Sequence, residues 1–387
     1  MKSSLGIFLK GYPYFQDKFK NNKTHIIQTR LFLKKAIVFK GEAAAKIFYD
    51  QEKFERKGAT PKRFKKTLLG QGGVQGLDGS EHFNRKKMFM EIMNEDSLSH
   101  LQKHFEYFWR LAQEKWKTSE NIILFDEAEM ILNQAACKWI GIPLQNNEVK
   151  DKTSLLSSMI DGSGAIGLRH YRGRRVRKKA EKWIIDLVDE ARNSTEIKNL
   201  PETIFTHFCF YENLQYKRLD KKVVAVEILN LIRPIVAIAR YILFTALAIH
   251  EHPHYRKKIV EDNNDLDRCF IQEVRRFYPF FPVVAAKVKK SFNWNGYNFP
   301  VGRRVLLDLY ATNHDEDIWT NAQKFYPERF FEWNKSAFNF IPQGGGDHSH
   351  NHRCAGEWIT INLTQRALGF LIEEMNYIVP TQQNLQI

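Results

Sequence analysis

A cysteine set just before a helix, behind a run of glycines, is suited to thiolate chemistry. Cys354 has that position. It follows Phe340-Ile341-Pro342-Gln343-Gly344-Gly345-Gly346, then Asp347 to Asn351, and stands within His352-Arg353-Cys354-Ala355-Gly356-Glu357. Backbone N–H groups and the positive end of a helix favour the thiolate over the thiol. A thiolate so placed can bind iron axially and push electron density toward it. Two other readings stay open for this loop taken alone. His348, His350, His352 and Cys354 alternate, so an extended strand would put them on one face, where they could hold zinc or copper. The preceding glycines favour a loop over a strand. Cys354 can also be read as a buried structural cysteine.

Other residues share a spacing that chemistry could use. Glu273-Val274-Arg275-Arg276 on a helix puts Glu273 and Arg276 three apart on one face, able to pair. Phe325-Tyr326-Pro327-Glu328-Arg329-Phe330 follows, and then the Cys loop. His82 and Lys86 stand one helical turn apart. The most apolar stretch, Val223 to Ile249, carries Glu227, Asn230, Arg233, Pro234 and Arg240. Charges near the centre of a bilayer span are costly, so a buried helix is the better reading.

These groups must be positioned by a mostly helical chain. From Glu81 to Ile249 apolar residues recur at three and four positions, as in Phe105 to Trp116, Leu124 to Trp139 and Lys182 to Ala191. Near the start, Ile37-Val38-Phe39 reads as a strand and Gly41 to Tyr49 as a helix. Beyond Phe280 the texture changes, and Val283 to Val288, Phe292 to Phe299 and Val305 to Tyr310 read as short strands. A last helix is expected from Glu357 to Glu374. The class is mainly α with a minor β part. No repeat and no linker divides the 387 residues, so residues 1–387 read as a single domain.

Composition excludes several classes. A hydrophobic fraction of 43% with 29 Phe, 14 Tyr and 8 Trp supplies a large core, which rules out disorder. Cys137, Cys209, Cys269 and Cys354 are too sparse for a disulfide framework and fit a reducing, cytoplasmic setting. Lys and Arg number 59 against 44 Asp and Glu, a net charge of +15. The densest basic run, Arg169 to Lys179, holds seven Lys/Arg in eleven residues. It reads as the exposed start of a surface helix, since no nucleic-acid motif accompanies it. Met1 to Lys10 is too short and interrupted for a signal peptide or membrane anchor.

The ordered set of E-x-x-R, P-E-R-F and a glycine-rich loop with Cys resembles the cytochrome P-450 superfamily over nearly the whole chain. The resemblance implies that fold, with thiolate-ligated haem b between the long central helix and the Cys loop. Cys354 would be the axial iron ligand. Glu273, Arg276 and Arg329 would form a buried structural triad. His82 and Lys86 would contact the haem propionates, with His352 a second candidate. The chain also departs from the ordinary pattern: the spacer between Phe340 and Cys354 is longer, and Leu231-Ile232-Arg233-Pro234-Ile235-Val236-Ala237 replaces the usual acid–alcohol pair. That replacement removes the expected proton relay and puts a permanent cation in an apolar cavity, where an anion should pair with it.

These departures resemble one branch, the fatty-acid peroxygenases. The match includes Gln343-Gly344-Gly345-Gly346, Arg233-Pro234 and the segment Gly70 to Gly79. The resemblance implies hydroxylation of long-chain fatty acids at the α and β carbons, using hydrogen peroxide and no reductase. Arg233 would hold the substrate carboxylate, which then serves as the acid–base group. Pro234 would kink the helix over the haem. Gln75 would be a distal residue, Gln there going with hydroxylation and His with decarboxylation to alkenes. Leu69, Ile160, Phe280 and Val283 would line the pocket. The chain stops at Ile387, where relatives continue into a C-terminal β segment. Two alternatives are a reductase-dependent monooxygenase docking ferredoxin or flavodoxin on the basic surface, and a haem-binding protein inactive through the early stop.

Overall fold

The structure, a computed structural model, describes residues 10–31, 34–162, 168–194, 202–261 and 265–380. Fourteen α-helices are labelled in chain order: α1 (Pro13–Asn21), α2 (Glu42–Phe48), α3 (Gly79–Met90), α4 (Glu95–Trp116), α5 (Leu124–Ile140), α6 (Val149–Asp161), α7 (Leu168–Asn193), α8 (Ile204–Phe210), α9 (Lys221–Ala237), α10 (Ala239–Glu251), α11 (His254–Glu261), α12 (Leu266–Phe277), α13 (Leu309–Asn313) and α14 (Glu357–Gly369). The strands are β1 (Ile26–Leu31), β2 (Lys34–Phe39), β3 (Phe54–Glu55), β4 (Val283–Val288), β5 (Phe292–Trp294), β6 (Tyr297–Phe299) and β7 (Arg304–Asp308).

Local chemistry explains the helix starts. Asn94 accepts from Ser97 N–H, and Glu95 and Asp96 stand in the first turn of α4, where negative charge complements the helix end. The buried side of α4 is Leu98, Leu101, Phe105, Trp109 and Ala112, the three-and-four spacing of one face. Asp220 caps α9 by accepting from Lys222 N–H. Beyond the cap, α9 is apolar almost all round and is buried against α5, α7 and α6. The run Lys221–Glu251 is long and apolar enough to cross a membrane, but 72% of its most apolar window is buried inside the protein. It is the core helix pair.

The sheet has the order β1-β2-β7-β4-β3, with β2 parallel to β7 and the other pairs antiparallel. β5 and β6 form a separate hairpin. Among the described residues four apolar clusters result, the largest among α4, α5, α7, α9 and α14, and another between α2 and the sheet.

Three expectations are corrected. Phe292 to Phe299 is not one strand but a hairpin, turned at Asn295-Gly296, both at positive φ. Tyr310 is helical: the strand ends at Asp308, whose carboxylate accepts from Ala311 N–H at 2.8 Å and starts α13. The run Arg169 to Lys179 is not wholly exposed, because Arg177 is only 2% exposed. The last helix passes into a wider turn at Phe370–Glu374. The N-terminal segment up to Leu9 and the final residues 381–387 lie outside the described residues.

Candidate haem and carboxylate sites

The Cys loop is tied down before it reaches α14. Gly346 N–H donates to the Ala337 carbonyl at 2.8 Å, and Cys354 N–H to the Gln343 carbonyl at 3.1 Å. Gly346 has φ +83°, and a Cβ there would meet Asn351 Oδ1 at 2.4 Å, so a side chain at this turn would be strained and would displace Asn351. The Asn351 carboxamide oxygen instead accepts from Asp347 N–H at 2.8 Å. This is a closed loop, not a strand. His350 is turned onto the Asp347 carboxylate at 2.7 Å and His352 onto His82, so the alternating His/Cys face does not form.

Cys354 is half-buried, whereas Cys137, Cys209 and Cys269 are buried; none of the four is in a disulfide. Burial pushes Cys137 and Cys209 up to about 12, which makes them inert. Burial also raises Cys354, and Glu357 adds to this; the Gly356 N–H, Lys86 and Arg275 pull the other way. A metal bound at the sulfur reverses the balance, since a coordinating thiol is deprotonated outright.

The residues beside the loop fit a dianionic, largely apolar group such as haem. Lys86, 3% exposed, donates to the carbonyls of Asn351 and Arg353. Burial lowers it to about 8. Arg56 is also buried, with Nη1 on the Ala285 carbonyl at 3.0 Å. Neither cation forms an ion pair among the described residues. Asp78 accepts from the Arg56 and Lys57 N–H groups at 2.7 and 2.8 Å and so fixes this corner. The His82 and His352 rings lie 3.8 Å apart. Burial, then Lys86, lowers His82 to about 4, and burial, then Arg56, takes His352 well down, so both are neutral hydrogen-bonding groups at pH 7. Two buried cations lacking carboxylates, beside a cysteine with a converging N–H, suit propionates and an iron.

The face of α9 toward the segment 68–77 carries a polar stripe at three-residue spacing, Glu227, Asn230 and Arg233. Glu227 is fully buried. Its oxygens accept from Arg85 at 2.7 Å, Val74 N–H at 2.8 Å and Asn230 Nδ2 at 3.0 Å. Burial raises its pKa despite these donors. Asn230 Nδ2 also reaches Gln75 Oε1 at 3.2 Å, placing Gln75 beside the helix. Arg233 donates through Nη1 to the Leu68 carbonyl and has no carboxylate partner among the described residues. Burial, then the neighbouring Arg177, lowers it to about 9, so it remains a cation at neutral pH. Pro234 cannot serve the Asn230 carbonyl one turn back, and α9 ends at Ala237 before α10 resumes at Ala239.

Glu273 has no exposure and takes Arg276 at 2.7 Å and Arg329 at 3.2 Å. Arg276 further donates to the Asn313 and Ala322 carbonyls, each at 2.9 Å. A second pair was not apparent in the sequence. Arg275 donates to Glu357 Oε1 at 2.6 Å and Gln343 Oε1 at 2.9 Å, and Arg353 to Glu357 Oε2 at 2.6 Å. Burial alone would raise Glu357, but Arg275 and Arg353 hold it below the usual range.

The four apolar candidates divide. Leu69 and Ile160 are half-buried and belong to none of the packed clusters among the described residues. Phe280 stacks on Tyr241 with centroids 4.5 Å apart, and Val283 packs on the cluster of Tyr14 and Phe15. Sequence reasoning also left out Arg56 and Arg85, and named Glu227 and Asn230 without a role in the site. The Glu227, Asn230, Arg233 spacing in an apolar helix was the available signal for the last two.

Residues 266–386 match the family Cytochrome P450. The solved structure of Cytochrome P450SP alpha (CYP152B1) in complex with (R)-ibuprophen superposes with a TM-score of 0.95 and 40% sequence identity, covering 98% of this chain and 93% of that chain. Cytochrome P450EX alpha (CYP152N1) with myristic acid gives a TM-score of 0.94 and 42% identity, covering 98% of this chain and 91% of that chain. Geraniol 8-hydroxylase of Catharanthus roseus is 33% identical over 115 residues, which is 28% of this chain and 22% of that protein.

Proposed function

Since this chain belongs to the cytochrome P450 family, in its fatty-acid peroxygenase branch, and binds haem b, we propose that it hydroxylates long-chain fatty acids at the α and β carbons with hydrogen peroxide and no reductase. The balance is R–H + H₂O₂ → R–OH + H₂O. When bound, the haem supplies peroxide activation and oxygen transfer. Cys354 would hold its iron, and Lys86, His82 and His352 would face its propionates.

One observation carries this reading: Arg233, a buried cation on an apolar helix, has no acid partner among the described residues. A fatty-acid carboxylate is the anion that completes it. At 4 Å and an effective dielectric of 20 the attraction is roughly 4 kcal/mol before desolvation. A planar guanidinium also suits bidentate carboxylate binding. The myristic acid and (R)-ibuprophen bound by two similar proteins are both carboxylic acids, which supports the same chemistry here.

Among the described residues no rival acid lies free at this point. Glu227 is the one acid in α9, and it is held by three donors. Gln75 has no titratable proton. The substrate carboxylate therefore takes a proton from one peroxide oxygen and returns it to the other, general acid–base catalysis of the kind worth about 10²–10⁴-fold. Pro234 opens the backbone beside Arg233, and Leu69, Ile160, Phe280 and Val283 would guide the chain of the substrate. The test is to mix purified haem-loaded protein with hydrogen peroxide and a long-chain fatty acid, without reductase, and identify products. Hydroxy acids hydroxylated next to the carboxylate are expected. Turnover that requires an electron donor would contradict the proposal.

A further inference from the structure

The basic run Arg169 to Lys179 sends one residue into the interior. Arg177 on α7 donates through Nη1 to the Leu68 carbonyl at 2.7 Å and through Nε to Glu181 at 2.7 Å. Arg233 on α9 donates through Nη1 to the same Leu68 carbonyl. Two guanidinium groups from different helices thus share one backbone oxygen. Among the described residues only Glu181, on the α7 side and 29% exposed, is ion-paired with either of them, and Glu227 adds a weaker attraction to Arg177. Nη2 of Arg177 is buried with no hydrogen-bond partner. Gly70 makes room for it: φ there is +83°, and a Cβ would meet Arg177 Nη2 at 2.3 Å and Val226 Cγ1 at 2.5 Å.

The second donor on Leu68 has a consequence. A carbonyl turned away from water needs a donor, and the Leu68 carbonyl, part-buried against α7 and α9, is more costly to leave without one than an open carbonyl would be. If Arg233 alone served Leu68, its departure toward a substrate carboxylate would orphan that oxygen. With Arg177 in place the oxygen stays paired. Resting on the reading of Arg233 as carboxylate anchor, we infer that Arg177 is a positioning residue. It keeps the Leu68 carbonyl satisfied so that Arg233 can turn onto the fatty acid, and its cation strengthens the field that attracts the carboxylate. The remaining charged groups of this corner, Glu227 and Arg85, are paired with each other at 2.7 Å and leave the excess cation in place.

The test titrates the holoenzyme with tetradecanoic acid and, separately, with imidazole as a neutral iron ligand, following the haem Soret band. Arg177→Met should weaken tetradecanoic acid about tenfold or more, the worth of a hydrogen bond involving a charged group. Imidazole affinity should stay within about twofold, because it does not need Arg233. Arg177→Gln keeps a donor for Leu68 without the charge, and should fall between Arg177→Met and the unaltered protein. It also serves if Arg177→Met does not fold. Unchanged tetradecanoic acid binding in both variants overturns the inference, as does an equal loss for both ligands. Arg233→Ala in the same titration separates the two claims. If it binds tetradecanoic acid normally, the anchor itself is wrong. If it is weakened while the Arg177 variants are not, only the role of Arg177 fails.

Discussion

Arg275 and Arg276, beside Glu357 and Glu273, and Arg233, Lys86 and Arg56, around α9 and α3, are all buried, but their charges are treated differently. Arg276 and Arg329 share Glu273, and Arg275 and Arg353 share Glu357, with contacts of 2.6 to 3.2 Å. Around α9 and α3, Arg233, Lys86 and Arg56 have carbonyls but no carboxylates among the described residues. The first region is complete as folded. On the proposed reading the second is completed by anions: propionates at Lys86 and Arg56, a substrate carboxylate at Arg233. Burial without a partner is expensive, so unpaired interior cations mark function better than paired ones do.

The sharpest way to break this comparison is to unpair the paired region. Glu273→Gln strands Arg276 and Arg329, and should cost about 3–5 kcal/mol in chemical denaturation. Arg233→Ala should behave oppositely. It should lower peroxide-driven fatty-acid turnover by about 10²–10⁴-fold while leaving stability within about 1 kcal/mol, since no partner is left uncompensated. A stability loss matching that of Glu273→Gln would show that Arg233 is structural.

A smaller effect tests the paired side by pH. His314 packs against Phe277 and Tyr310, with Nδ1 3.0 Å from the Tyr310 carbonyl. Burial, then Arg276, lowers it to about 4. The folded state therefore takes up its proton after the unfolded state does. Its contribution is fully present above about 6.5 and is lost as pH falls toward 4, by about 3 kcal/mol at most. His314→Phe should flatten that part of the stability curve between those pH values, measured by urea unfolding.

Much of this division was legible in the sequence, because its signals are local. The Cys loop is a contiguous segment, and Glu273 and Arg276 are one helical turn apart. The partners that complete the paired region are not local: Arg275 and Glu357 are 82 residues apart, and only folding brings them together. The basic run misled for the same reason. Charge runs are usually solvated, and nothing near Arg177 in sequence announces the Leu68 carbonyl 109 residues away. Tyr310 was misplaced because Val305 to Tyr310 looks like one apolar strand, while the Asp308 side chain ends it by capping a helix. Glu227 and Asn230 were visible beside Arg233, yet they served only as an argument against a bilayer span.

The central claim is that the substrate carboxylate at Arg233 supplies the missing acid–base group. That carboxylate need not belong to the molecule oxidised. A short carboxylic acid can occupy Arg233 and leave room for a small aromatic substrate that lacks one. The measurement is peroxide-dependent oxidation of that aromatic with and without the short acid. Oxidation only in its presence, lost again in Arg233→Ala, is the predicted result. Equal rates with and without the acid would mean that the protein carries its own relay, and would contradict the account.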